Sequence, residues 1–186
     1  MVARALVHLL GETPLFLFEV GGLSEQLRVL RFSGSEGMSS LFEFQVELAC
    51  ENQDIDFTQV VGRPGLLTLT GDLMPRHVHG IVSRFEQVNE QPRYAIYRAT
   101  VVPLVWRLKH RHDIRIFQKL DTPTILKQVF EASGVPADKV RFSLVNTYEP
   151  RDYCVQYRES DWDFASRLME EDGIFYFFEH HEDKHV

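Results

Sequence analysis

The sequence predicts a β-rich α+β chain: an antiparallel β-barrel or sandwich followed by a smaller α+β segment with two capped helices. Three observations carry this. Phe42, Phe44, Val46 and Leu48 alternate with Glu43, Gln45, Glu47 and Ala49, the period of a half-buried strand. Short apolar runs punctuated by Gly and Pro recur on both sides of it, up to about residue 112. Beyond that point two helix starts stand out, Thr122-Pro123 and the S-x-x-D of Ser160 to Asp163. The chain is therefore divided into a barrel-like part, residues 1–112, and an α+β part, residues 113–186.

Taken in order, residues 14–20 (PLFLFEV) read as a first strand closed by Gly21-Gly22. Leu27 to Phe32 gives a second, and Ser33 to Ser40 is turn chemistry. After the alternating strand, Gly62-Arg63-Pro64-Gly65 reads as a turn, Leu66 to Thr70 as a strand and Gly71-Asp72 as a break. His77 to Phe85 and Tyr94 to Val102 are two more strands, joined by the polar stretch Asn89 to Arg93. In the second part Thr122 caps a helix with Pro123 in its first position, where a missing N–H does no harm. Leu126, Val129 and Phe130 are its apolar stripe, and Gly134 with Pro136 ends it. A short strand over Val140 to Val145 leads to Pro150.

The best-defined stretch is Tyr153 to His180, YCVQYRESDWDFASRLMEEDGIFYFFEH. Tyr153, Val155 and Tyr157 alternate with Cys154, Gln156 and Arg158 as a strand. Ser160 and Asp163 open a helix whose stripe is Trp162, Ala165, Leu168 and Met169, with Arg167, Glu170 and Glu171 off it. Gly173 supplies a left-handed stop. Ile174 to Phe178 is apolar on both faces, which predicts a strand covered on both sides.

Composition narrows the function. The 186 residues suffice for one sizeable domain or two small ones, with 14 phenylalanines to bury. A net charge of −7 argues against nucleic acid, which selects a basic face; the local cluster Arg107 to Arg115 (RLKHRHDIR) reads as a solvated strand end or a subunit contact. Two cysteines, Cys50 and Cys154, permit one disulfide but no framework. The apolar run Ala5 to Leu10 is interrupted by His8 and lacks a cleavage site, so no secretory signal is expected, and no stretch approaches the ~20 apolar residues of a membrane helix. Synthesis in the cytoplasm is the reading, with any export by another route.

Candidate chemistry is sparse. His77 and His79 share one strand face, His110 and His112 repeat the spacing, and His180, His181 and His185 follow near the end. A zinc site needs a third or fourth ligand at motif spacing, so the default is structural or solvent-facing histidines and no metal. Cys154 lies between Tyr153 and Val155 without an activating charge and reads as a packed hydrophobe rather than a nucleophile. Asp161 and Asp163 fall in the first helical turn, where the helix dipole favours negative charge. Glu170, Glu171 and Asp172 sit at the other end and are expected to meet a basic partner such as the Arg107 to Arg115 segment, in this subunit or a neighbour. No phosphate-binding glycine loop or G-x-S-x-G elbow is present, so no catalytic residue, cofactor or enzyme activity is assigned.

The string QYRESDWDFASRLMEEDGIFYFFEH resembles the signature of the VgrG family, the trimeric spike proteins at the tip of bacterial type VI secretion machines. FSGSEGMSSLFEFQVEL (Phe32 to Leu48), HGIVSRFEQV (His79 to Val88) and RIFQ (Arg115 to Gln118) fit the same family in the same order. The resemblance implies a phage tail-hub-like fold with two barrel-like domains per subunit, a homotrimer or mixed VgrG trimer, docking on the hexameric Hcp tube, and a needle that carries a tip protein or effector. It implies that the chain stops about halfway through the hub region, before the second barrel and the needle. It also implies secretion by the type VI machine without a cleaved signal peptide. Arg115, Ile116, Phe117, Gln118, Gln156, Glu159 and Asp161 are the structural positions expected to hold the two parts together, and Arg167 and Gly173 are further structural or interface candidates. The alternative is the hub or baseplate of a contractile phage or phage-like tail; a small metal-dependent hydrolase using the histidines is a third reading.

Overall fold

The alternation around Phe42 is realised in a strand, Glu43–Cys50, whose inward row of Phe44, Val46, Leu48 and Cys50 is buried, as is Phe42 just before it. The computed structural model describes residues 3–4, 15–70 and 74–186. The expected strand start at Pro14, the apolar run Ala5 to Leu10 and the break at Gly71-Asp72 lie outside the described residues. In chain order the strands are β1 (Ala3–Arg4), β2 (Phe16–Val20), β3 (Leu27–Ser35), β4 (Glu43–Cys50), β5 (Pro64–Leu69), β6 (Arg76–Gln91), β7 (Tyr94–Val102), β8 (His112–Phe117) and β9 (Cys154–Ser160). The helices are α1 (Thr122–Ala132) and α2 (Asp161–Glu171).

All pairings are antiparallel. The order β3-β2-β5-β6-β7-β4 closes because β4 pairs with β3 as well as with β7, and β1 is added alongside β3. Of the two expected architectures, the molecule is therefore the barrel. Closure requires bending, and bulges between Val29 and Arg31, Val82 and Arg84, and Gln87 and Asn89 provide it. The interior is filled from β2, β3, β4, β5, β6 and β7, with Phe18, Leu67, Val78 and Tyr97 among its members. Phe85 and Tyr97 stack with centroids 5.1 Å apart, and the Tyr97 hydroxyl donates to Asn52 O at 3.0 Å, so the buried ring leaves no orphan polar atom.

Several element bounds differ from the sequence reading for one reason: ladder partners recruit residues of turn type. Ser33 to Ser35 remain in β3 because β4 offers Gln45, Phe44 and Glu43 opposite them. Pro64 and Gly65 begin β5 rather than ending a turn; a strand's first residue tolerates proline. The cap of α1 is Asp121, whose carboxylate accepts from Thr124 N at 2.8 Å; Thr122 is instead buried, and its hydroxyl accepts from Arg151 Nε at 3.1 Å. Val140 to Val145 is not a strand: it follows a short 3-10 helix, Ala137–Lys139, and Val145 is almost fully exposed. Ile174 to Phe178 joins no ladder among the described residues. Ile174, Tyr176 and Phe178 are half-buried while Phe175 and Phe177 are exposed, so among the described residues only one face of this stretch is covered.

The backbone packs as two units, Met1–Pro103 with Phe178–His185, and Leu104–Phe177 with Val186. The boundary falls earlier than the change of composition near residue 112, because the 3-10 helix Leu104–His110 already buries Leu108 in the second unit. Phe178 belongs to the first unit, where its ring meets Phe42 edge-on at 5.1 Å.

Closure leaves no room at Gly80. A Cβ there would stand 2.5 Å from Val102 O and 2.7 Å from a Val101 methyl carbon. Gly80→Ala is expected to destabilise the barrel by about 1–3 kcal/mol, read as a lower urea midpoint at unchanged slope. A midpoint equal to the parent's would show that β6 and β7 separate freely, contrary to this packing.

Candidate functional site

The densest polar cluster lies inside the second unit and is built on the S-D step at the start of α2. Ser160 caps the helix, its hydroxyl oxygen accepting from Asp163 N at 3.0 Å while its proton faces Asp163 Oδ2 at 2.7 Å. The next residue, Asp161, has no exposed surface. A buried carboxylate must be paired or it costs several kcal/mol, and here four side chains face it. Oδ1 accepts from Arg115 Nη2 and from Gln156 Nε2, the latter at 2.8 Å. Oδ2 lies 2.7 Å from the Ser133 hydroxyl and 3.5 Å from Arg111 Nε.

The partners are themselves fixed. Arg115 Nε donates to Gln156 Oε1 at 2.9 Å, so guanidinium, amide and carboxylate form one triangle across the β8–β9 ribbon, where Arg115 stands opposite Gln156. Gln156 Nε2 also reaches Glu159 O at 3.2 Å. Arg111 donates to Ala132 O at the end of α1, and its own carbonyl accepts Asp161 N at 2.8 Å. The cluster thus ties the ribbon, the C-terminus of α1 and the N-terminus of α2 to one point.

A second, more open cluster lies along α2. Arg167 pairs with Glu159 at 2.7 Å and Glu171 at 3.2 Å and donates to Val155 O at 3.2 Å. Arg151 pairs with Glu171 at 2.6 Å and Asp172 at 3.0 Å. The hydrogen bond from Arg151, with help from Arg167, holds the Glu171 carboxyl below its ordinary 4.5. Gly173 then takes φ 66°, and Ile174 N closes the helix end on Met169 O at 2.8 Å.

The residues singled out from sequence fall into distinct places. Arg115, Gln156 and Asp161 meet directly; Glu159 and Arg167 form the neighbouring pair, and Gly173 stops the helix. Phe117 is buried and stacks on Phe164 at 5.6 Å, whereas Ile116 on the ribbon and Gln118 just after it are exposed. All the partners just described lie within the second unit. At the acidic end of α2, Glu171 meets Arg151 and Arg167 and Asp172 meets Arg151, while Arg111 and Arg115 of the Arg107 to Arg115 segment face Asp161. Sequence reasoning missed Arg151 and Ser133 as partners. Neither carries a periodic or motif signal, because each joins its partner only through the fold.

The histidines take different partners, and only His79 of the H-x-H motif meets other histidines. His77 Nδ1 is 3.2 Å from the Thr68 hydroxyl, and His110 packs edge-on against Trp106 at 4.5 Å. His79 Nδ1 is 3.0 Å from His185 Nδ1. Among the described residues no group of three or more His, Cys, Asp or Glu side chains has the geometry to hold a metal ion. Cys50 and Cys154 are both buried and unbridged, and burial pushes each thiol up from its ordinary value. Among the same residues no helix is long and apolar enough to cross a membrane.

A closed barrel joined to a small unit of this build is the fold of the tail-hub proteins. It superposes with TM-score 0.82 and 26% identity on an E. coli protein described as a component of the type VI secretion system with structural similarity to T4 bacteriophage tail proteins gp27 and gp5, covering 91% of this chain and 47% of that one. The chain belongs to the phage tail baseplate hub (GPD) family, whose model matches residues 35–186. It is 38% identical over 164 residues to the type VI secretion system spike protein VgrG1b of Pseudomonas aeruginosa, covering 88% of this chain and 22% of that protein. Similarity to the spike protein VgrG4b of the same organism is 39% over 171 residues, 92% of this chain and 21% of that protein. A prophage MuSo2 43 kDa tail protein from Shewanella oneidensis shares the fold at TM-score 0.58 and 14% identity, covering 88% of this chain and 49% of that one. The chain thus spans about a fifth of the length of the spike proteins it resembles.

Two expectations follow from the clusters. Asp161→Ala leaves two guanidinium groups and a buried amide without their acceptor, and is expected to cost about 3 kcal/mol in urea unfolding; a loss near zero would mean the carboxylate is dispensable. Glu171 is depressed, so its contribution is present above about pH 4.5 and is lost as the pH falls through its lower folded value. The melting temperatures of the parent and Glu171→Gln should therefore differ near neutrality and converge in acid, and a gap that stays constant would refute the assignment.

Proposed function

We propose that this chain is the N-terminal hub segment of a type VI secretion spike, acting mechanically through assembly and expulsion rather than through catalysis. The observation that carries the reading is the match of the barrel and its α+β unit, at TM-score 0.82, to a protein described as a type VI component. The spike proteins similar over 88–92% of this chain support it. So does the use of the chain's polar side chains: Asp161, Arg115 and Gln156 are spent on one another instead of lining a cleft, which suits a part that bears load.

In this reading three subunits, all alike or mixed with other spike proteins, form the base. The base docks on the hexameric Hcp tube, and the assembled spike carries a tip protein or effector. The polypeptide is made in the cytoplasm and leaves with the spike, without a cleaved signal peptide. Arg115, Gln156, Asp161, Glu159 and Arg167 hold the second unit in shape, and the hub divides into a barrel domain and an α+β domain.

A hub of a contractile phage or phage-like tail is the second reading, favoured by the description of the matching family as a baseplate hub. The two differ in the tube they seat on. Light scattering of the purified chain across a concentration series is expected to give three times 21.7 kDa, and Hcp rings are expected to retain the trimer on a sizing column. A persistent monomer would refute assembly through these residues. Retention by a phage tail-tube protein and not by Hcp would replace the first reading with the second.

A further inference from the structure

Residues 178–185 belong to the first unit, and histidines hold them there. His180 and His185 stand opposite each other in a short antiparallel bridge. The His180 side chain is 8% exposed and its Nδ1 lies 3.2 Å from both the N and the O of His79. Phe42, itself without exposed surface, packs edge-on against His180 at 4.7 Å, Phe178 at 5.1 Å and His185 at 5.9 Å. His185 Nδ1 meets His79 Nδ1 at 3.0 Å, with their ring centroids 5.3 Å apart.

Two imidazole nitrogens at that distance share one proton: one ring donates and the other accepts. The pair tolerates one added proton, placed on a far nitrogen, but not two. With both rings charged, two N–H groups face each other across the contact and like charges sit side by side. His180 works in the same direction. Burial lowers it from its ordinary 6.5, while Glu36, 3.4 Å from its Nε2, pulls it back up. Glu36 is itself paired with Arg76, whose charge opposes protonation of His180. A depressed histidine binds its proton more tightly when released, so docking is favoured above about pH 6.5 and weakens as the pH falls.

The other charges near the contact are Glu19 of β2 and Glu182, which with His79 line a depression of about 270 Å³, and Glu179 and Lys184 on the segment itself. None of these groups separates the two N–H groups that a second proton would set against each other in the His79–His185 contact. We propose that residues 178–185 form a pH-sensitive clasp on the barrel, closed by the His79–His185 hydrogen bond and the uncharged His180 ring, and opened when these rings take up protons.

The test is hydrogen–deuterium exchange of the whole chain at about pH 7.5 and about pH 5, after correction for intrinsic exchange rates, following the peptide 178–185 against β4 as the internal reference. The expected result is roughly tenfold or greater loss of protection in 178–185 at the lower pH, with β4 unchanged. His185→Gln, which can donate and accept but does not titrate, should remain docked and lose most of that dependence; His180→Gln serves if His185→Gln does not dock. Protection retained at both pH values would overturn the proposal. So would loss of 178–185 and β4 together, which is acid unfolding of the barrel. An unchanged pH response in both variants would overturn it too, because other groups would then be responsible.

Discussion

The pairing of β3 with β4 is the interaction on which the first unit depends. Without it the remaining strands make an open sheet with two exposed rows of N–H and C=O groups; with it the ladder runs round on itself. Closure then dictates much else. A closed antiparallel ladder of this size has an interior only wide enough for side chains, so one face of every strand must be apolar and complementary in size. Bulges supply the bends, and a residue without a side chain must stand where Val101 and Val102 pass over β6. Tyr97 shows how strictly the interior is kept: its ring is buried to pack on Phe85, and its hydroxyl is carried out to a backbone carbonyl.

The second unit solves a different problem. Its two helices bury apolar side chains such as Ile125, Leu126, Val129, Phe164 and Leu168, but its two-stranded ribbon is not stable alone. Its elements are instead keyed to Asp161. A carboxylate without exposed surface restricts the fold, because few arrangements supply two guanidinium groups, an amide and a hydroxyl at once. The desolvation of the charge offsets much of the Coulomb attraction, so the cluster adds less to stability than its bond count suggests. What it fixes is arrangement: the ribbon register, the end of α1 and the start of α2 must agree before Asp161 is satisfied. Phe117 stacked on Phe164 then fills the apolar space beneath.

Legibility from sequence follows the same physics. β4, α1 and α2 are readable because their evidence is local: a period of two, a period of 3.6 and, for α2, a cap residue within a turn of the backbone it satisfies. Strand ends were less readable because a ladder extends as far as its partner does, whatever the residues prefer. That is why Ser33 to Ser35, Pro64 and Gly65 became strand, while Val140 to Val145, with good strand residues, did not. The polar cluster was half readable. Arg115, Gln156 and Asp161 were singled out by their motifs, but Arg151 and Ser133 reach their carboxylates only through the fold, 20 and 28 residues along the chain.

The histidines make the same point in its strongest form. The spacing of His77 and His79 correctly placed both on one face of β6, and a ligand pair was the natural idea to weigh. The structure separates them by partner rather than by face: His77 faces a threonine on β5, and His79 faces a histidine 106 residues later. A short motif fixes direction, because strand geometry repeats every two residues. It cannot fix partnership, because that depends on which distant segment returns to the barrel, and here the returning segment is also the source of Phe178 packed on Phe42. The aromatic contacts therefore decide the polar ones: once Phe42 draws Phe178, His180 and His185 onto its edges, His79 is left with an imidazole as its neighbour and with the shared proton that this contact requires.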